Sequence, residues 1–235
     1  MSGDRPRTGP GREHDREATM SYVMQLFEDI LSGGEEVRFG ESEARAIYVA
    51  AGGALVEGAG VAADNGVVLA GTALVRADAG GATLWRWDVV PSGTGAGDCR
   101  HRAALRCSGP VEPATIADDL LLRLDSVAFP AGGSALLHTH QGPGIRCLKE
   151  GDIRIDTAGH STTYCPGSAW FEEGPEPVFA QASASVPSRF IRSMVLPRTL
   201  LGTSSIRYVK EEDRDRPKSQ SYRVFAESPV RLGPA

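Results

Sequence analysis

Little in this chain is concentrated. Aromatic residues make up only 6% of its 235 positions, cysteines number four and histidines five, and no apolar run approaches the roughly eighteen residues that a membrane-spanning helix requires. The lack of such a run, and of an apolar segment near the N-terminus, speaks against a helical span and a secretory signal and leads us to expect a soluble, cytoplasmic protein. Four cysteines in a chain of this length fall short of a disulfide scaffold, so reduced thiols are the default. Positive charge is not concentrated either: 25 Lys and Arg against 30 Asp and Glu give a net charge of -5, and the scattered basic residues speak against a nucleic-acid surface. Between Glu36 and Pro91 there is no histidine at all, so that half of the chain offers no obvious metal chemistry.

What the chain has in quantity is 28 glycines and 15 prolines, set between short apolar runs. That pattern predicts an all-β protein rather than a helical one. Residues 1–16 are charged, rich in Gly and Pro and without apolar period, which predicts a disordered leader with His14 in solvent. From Glu17 to Leu31, the residues Met20, Val23, Met24, Phe27, Ile30 and Leu31 recur at three- and four-residue steps, which predicts a short amphipathic N-terminal helix ended by Ser32-Gly33-Gly34. Short strands are expected from there to Pro91. Residues 96–118 read as an irregular linker, in which Cys99, His101 and Cys107 lack the fourth ligand and the spacing of a structural zinc site. Strands resume at Leu120, and Pro197 stops the last of that set. The tail holds two further extended pieces, 205–209 and 222–226, apolar enough to pack on the body. The domain reading is therefore a leader 1–16, an N-terminal half 17–95, a linker 96–118, a C-terminal barrel 119–197 and a packed extension 198–235. Ala46 to Gly52 weakly echoes Ile145 to Gly151, from which we infer an internal duplication.

One stretch does concentrate chemistry. His138-Thr139-His140 follows an apolar run and precedes the turn Gly142-Pro143-Gly144, and on a strand two histidines one residue apart project from the same face. They form a ready pair of metal ligands. Here the chain resembles a cupin. The usual first cupin motif runs Gly, five residues, His-x-His, three or four residues, Glu, six residues, Gly. Gly132, His138, His140, Gly144 and Gly151 keep that spacing, with glycine in place of the glutamate. Of the second motif only Gly167 survives, its proline, glycine, histidine and asparagine positions falling on Glu173, Pro175, Val178 and Ala182.

The resemblance implies an all-β fold of two double-stranded β-helix (cupin) barrels in one chain, the N-terminal one degenerate. It implies a divalent transition metal (Fe, Mn, Ni or Zn), a small-molecule substrate and a homodimer; the scattered charge and the lack of a long apolar run lead us to expect neither nucleic acid nor membrane as partner. A typical cupin holds its metal with two histidines and a glutamate from the first motif and a histidine from the second. This chain keeps His138 and His140. A carboxylate can be rebuilt from Glu172 or Glu173; alternation lets only one face inward, and Glu172 shares a face with Trp170. Arg146, two residues after Gly144, shares the inward face and needs an anion. Either it pairs with Glu172, or it clamps the carboxylate or other oxyanion of a substrate through its forked donors; both stay open. Trp170 and Gln181 are candidates to contact substrate, Tyr164 and Arg192 to line the barrel, and His160 reads more readily as a solvated turn residue than as a ligand.

The function expected is that of a metal-dependent enzyme acting on a small anionic organic substrate. His138, His140 and Glu172 would hold the ion, Glu172 would complete the site or act as base, and Arg146 would orient the substrate. Dioxygenase chemistry is favoured over isomerase or lyase chemistry, because a two-His-one-carboxylate set leaves open positions. The alternative is a non-catalytic small-molecule-binding or sensor cupin with an eroded metal site.

Overall fold

The computed structural model describes residues 21–94, 102–112 and 119–232. The first half is built from β1 (Tyr22–Leu31), β2 (Glu36–Phe39), β3 (Ala44–Val56), β4 (Ala59–Ala62), β5 (Asn65–Leu69) and β6 (Ala73–Pro91), followed by β7 (Arg102–Val111). The second half is built from β8 (Leu120–Phe129), β9 (Ser134–His140), β10 (Gly144–Glu150), β11 (Ile153–Thr157), β12 (His160–Tyr164), β13 (Ala169–Glu172), β14 (Val178–Ala182) and β15 (Ser188–Pro197). The tail adds β16 (Ile206–Tyr208) and β17 (Ser221–Val230). All the ladders are antiparallel. Among the described residues no helix is long and apolar enough to cross a membrane.

The duplication suspected from a weak echo is plain in the ladders. β1 pairs with the end of β6 as β8 pairs with β15, and β2 pairs with the start of β6 as β9 pairs with β14. The start of β3 pairs with β5 as β10 pairs with β13, and its end pairs with β4 as β11 pairs with β12. Even the irregularities agree: the ladder slips between Val49 and Ala51 in the first half and between Leu148 and Glu150 in the second. Gly52 and Gly151 follow these slips at φ +76 and +71, and a Cβ on either would lie 2.1 Å from a carbonyl oxygen of the facing chain. Each long strand, β3 or β6, thus does the work of two strands in the second half.

The expected N-terminal helix is replaced by β1. Its residues Tyr22, Met24 and Leu26 pack on the outer face, in a core shared with the second half, while Phe27 and Leu31 are buried on the opposite face. Burial that changes face halfway along a strand produces apolar spacings of three and four, which mimic a helix. β7 corrects a second expectation. It lies inside the presumed linker and pairs along the whole of β1 apart from its last residue; its mostly exposed, glycine-containing sequence carries no period-two apolar signal. Cys99, His101 and His14 lie outside the described residues.

The two barrels share one apolar core. Tyr22, Met24, Leu26, Tyr48, Trp85 and Trp87 of the first pack with Leu122, Leu124, Ile145, Cys147, Ile191 and Val195 of the second. The Trp87 indole N–H crosses the boundary to the Ile145 carbonyl at 3.1 Å, which satisfies a donor that burial would otherwise leave costly.

Candidate metal centre

β9 carries the two histidines into the interior of the second barrel, where both are buried (4% and 5% exposed). The strand is held on both sides, by β14 opposite His138 and by β16 opposite His138 and His140. His138 Nδ1 lies 2.7 Å from the Leu136 carbonyl oxygen, so the ring proton sits there and the Nε2 lone pair is free. The two Nε2 atoms are 3.2 Å apart. They converge on one point.

Burial, reinforced by the Arg146 and Arg192 charges, holds the His140 pKa well below its ordinary 6.5, and burial lowers that of His138 as well. Both are therefore neutral at pH 7, the form that binds metal. The unfolded chain takes up protons at 6.5 and the folded one resists them. Stability from this source is fully present above pH 6.5 and is lost as pH falls below it, with a slope approaching about 1.4 kcal/mol per pH unit for each histidine. Urea unfolding of the metal-free protein between pH 7.5 and 5 is expected to show that loss, and a His138→Gln/His140→Gln variant to lack it.

Glu172 ends β13 and faces inward, whereas Glu173 is exposed. Its cross-strand neighbour is Gly144, the position of the missing first-motif glutamate. A Cβ on Gly144 would lie 2.5 Å from the Ser193 carbonyl oxygen and 2.6 Å from Met194 Cγ, so no side chain fits there, and Glu172 supplies a carboxylate from the next strand instead. Trp170 Nε1 donates to Glu172 Oε1 at 2.8 Å, with the indole stacked on Tyr164 at 4.5 Å. Glu172 Oε2 lies 2.8 Å from Arg146 Nη2 and 3.5 Å from His140 Nε2. Oε2 is buried, and its contact with Arg146 is an ion pair.

The structure thus forms the Arg146–Glu172 pair that the sequence left open. Arg146 is fully buried, its pKa pushed down to about 10 by burial against the pull of Glu172, and Nη1 donates to the Gly144 carbonyl oxygen at 2.6 Å. Its cross-strand partner is Arg192, which forks onto Asp125 at 2.7 and 3.1 Å. Burial opposes the Arg192 charge, but Asp125 outweighs it and the net shift is upward. His138, His140, Arg146, Glu172 and Arg192, with the apolar side chains Val127, Phe129 and Phe190, line a cavity of about 20 Å³, room for one water or one ion. Among the described residues no group of three or more His, Cys, Asp or Glu side chains is placed to hold a metal ion. Two neutral imidazoles converge there, with the Glu172 carboxylate beside them.

Of the other residues singled out, Gln181 donates to the Gly132 and Gly133 carbonyls and does not line the cavity, since it alternates with the inward Ala180 and Ala182. His160 is exposed on β12, away from the centre. Sequence reasoning missed the tail. Ile206 and Tyr222 line the cavity, and Ser205 Oγ lies 3.5 Å from His140 Nδ1. It also missed Asp125, whose signal was a lone acid in the apolar run of β8.

The same positions in the first barrel are filled differently. Following the matched ladders, Phe39 stands where His138 does, Arg45 where Gly144 does, Asp88 where Met194 does and Arg86 where Arg192 does. Asp88 is shared by Arg45 (2.6 Å) and Arg86, Arg86 also forks onto Asp29 (2.7 and 3.1 Å), and the Phe39 ring lies 4.2 Å from the Arg86 guanidinium. This interior is closed by its own charges.

No protein-family model and no curated protein matches the sequence. Solved structures do. The salicylate 1,2-dioxygenase of Pseudaminobacter salicylatoxidans aligns over 86% of this chain and 75% of its own at 11% identity, TM-score 0.53; a mutant form of it in complex with gentisate aligns over 86% and 72% at 12% identity, TM-score 0.51. Oxalate decarboxylase of Bacillus subtilis, described with Mn(II) centres, aligns over 84% and 78% at 12% identity, TM-score 0.55. At these identities the likeness is one of fold, and it agrees with the repeated ladders and the motif spacing: the protein has the cupin fold, with two barrels in one chain.

Proposed function

We propose that the C-terminal barrel holds a divalent transition metal and that the chain is a metal-dependent enzyme acting on a small anionic organic substrate. The observation that carries this reading is the convergence of the His138 and His140 Nε2 atoms at 3.2 Å, buried and neutral. Glu172 would complete the set, as ligand or as base. When bound, the metal supplies Lewis acidity or activates oxygen, and open positions on a two-His-one-carboxylate set favour dioxygenase over isomerase or lyase chemistry. Arg146 orients the substrate carboxylate, Trp170 fixes the Glu172 side chain through Oε1, and Phe129 and Phe190 keep bulk water out. A second copy of the chain is proposed to pair through exposed edges, for which Leu105, 52% exposed on the sheet-terminal strand β7, offers support. The described cysteines Cys107, Cys147 and Cys165 are all free, which suits a reducing, cytoplasmic setting.

A second reading has its own support. The cavity of about 20 Å³ is too small for an organic substrate as it stands, which favours a non-catalytic binding or sensor module. Elemental analysis of the full-length, untagged protein tests the choice. The enzyme reading expects near one equivalent of transition metal, absent from a His138→Ala/His140→Ala variant that keeps its circular dichroism. Metal-free wild-type protein would favour the binding module.

A further inference from the structure

We propose that the cavity of the second barrel is entered from a cleft between β9 and the tail, that Tyr222 and Gln220 form the gate between the two, and that Arg216 and Lys218 make the cleft a vestibule for small organic anions. The inference rests on the anionic ligand read above, not on the metal, and adds the route of entry and the residues that admit the ligand.

The starting observation is where the cavity wall meets solvent. Its lining residues are all buried except Ile206 and Tyr222, and Tyr222 is 44% exposed. That side chain therefore touches the interior and water at once. The Arg192 guanidinium lies 5.8 Å from its ring centroid, so moving the ring outward uncovers a charged interior. Gln220 Nε2 donates to the Tyr222 hydroxyl at 3.0 Å, and Gln220 lines a cleft of about 200 Å³. One hydrogen bond thus reaches from the cleft to the cavity.

The cleft exists because β16 covers β9 only from His138 to His140. Ahead of that point the β9 edge is bridged by the chain from Arg216 to Gln220, with Ser134 and Leu136 turned to the cleft and Ala135 to the cavity. Ser219 Oγ fastens this bridge, accepting from the Ser134 N–H and donating to the Ser134 carbonyl oxygen, both at 2.8 Å. The backbone is tied there, and the side chains of Gln220 and Tyr222 are left to move. Their pin is weak, a single hydrogen bond between neutral groups. Gln220 is 7% exposed and its Oε1 is buried without a partner, a cost of the closed state that turning outward to water removes. Among the described strands β17 pairs with β8 alone, so its outer side is unrestrained by a ladder.

Charge sets what the route admits. Arg216 and Lys218 line the cleft together with no acidic side chain. Asp213 pairs with Arg216 at 3.0 Å, whereas Lys218 has no carboxylate partner among the described residues and stands 3.8 Å over the Tyr208 ring. The cleft is therefore net positive, and Arg146 and Arg192 wait at its inner end. A passage positive at both ends concentrates anions. Opened to the cleft, the cavity gains the room that an organic ligand needs and the closed cavity lacks.

Alkylation of His138 and His140 in the full-length, chelator-treated protein, by neutral iodoacetamide and by anionic iodoacetate, tests both parts. Mass spectrometry of the peptides reads the rates, with the exposed His160 as internal standard. Tyr222→Phe keeps the ring and loses the pin, and is expected to speed labelling by both reagents about 2- to 12-fold. Tyr222→Ala should speed it further. Val224→Ala, exposed on the same strand but outside the cavity wall, should leave the rates unchanged. Arg216→Gln/Lys218→Gln should slow iodoacetate by about tenfold and leave iodoacetamide as it was. Rates that neither Tyr222 variant raises, or that Val224→Ala raises equally, overturn the gate and leave the proposed function standing. An iodoacetate rate indifferent to the double variant overturns the vestibule. Equal labelling of the wild type by the two reagents, each scaled to its rate with N-acetylhistidine, overturns the anionic reading and the vestibule with it.

Discussion

Asp125→Ala is expected to destabilise the protein by about 3–5 kcal/mol, the cost of stranding a buried ion whose partner is removed. Asp125 is 2% exposed and accepts from Arg192 Nε and Nη2, so its loss leaves that guanidinium without a carboxylate in a closed interior. Arg192 is also the cross-strand neighbour of Arg146, and only their separate carboxylates keep that like-charge pair tolerable. At about 2–4 °C per kcal/mol for a chain of this size, the melting midpoint should fall by about 6–20 °C. Metal affinity should fall as well, because the stranded Arg192 competes for Glu172. A loss below about 1 kcal/mol in urea unfolding would mean that water reaches Arg192 and that the interior is wetter than its burial implies.

Asp88→Ala makes the corresponding lesion in the first barrel, with a similar expected cost of about 3–5 kcal/mol. Asp88 is the single carboxylate shared by Arg45 and Arg86. Arg86 keeps Asp29, but Arg45 is left with the Gly40 and Gly71 carbonyls, which share no formal charge with it. Here the metal content should not change while the protein stays folded, because none of the candidate ligands lies in that barrel. Denaturation and elemental analysis on the same preparation check both halves of the expectation. A folded Asp88→Ala protein that had lost its metal would show the first barrel acting on the second across their common core.

The fold class and the histidine pair were legible because both rest on short-range rules. Turn residues between apolar runs mark strands wherever they occur, and two histidines one apart on a strand share a face regardless of context. Glu172 was legible for the same reason, sharing a face with Trp170. What failed depended on long-range burial. β1 is buried first on one face and then on the other, because the second barrel covers only its beginning, and no local pattern reveals where that cover ends. β7 lies along β1 with few buried residues of its own, so it has almost no apolar signal to read. Gln181 was a candidate to contact substrate, yet its neighbours Ala180 and Ala182 take the inward face. The ion pairs Arg192–Asp125 and Arg45–Asp88 join residues 67 and 43 positions apart, a separation over which sequence offers only the presence of lone charges in apolar strands.

The position of β16 bears on how late the centre is completed. β9 would be the last strand of its sheet were it not for β16, and the cavity wall includes Ile206 and Tyr222, close to the end of the described chain. A nascent chain that has emerged only as far as β15 already owns His138, His140, Arg146 and Glu172, but β9, which carries the two histidines, is then an unpaired sheet edge. The side chains of Ile206 and Tyr222 close the cavity from the tail, so a protein cut before Ile206 keeps every proposed ligand and loses part of the dry wall around them.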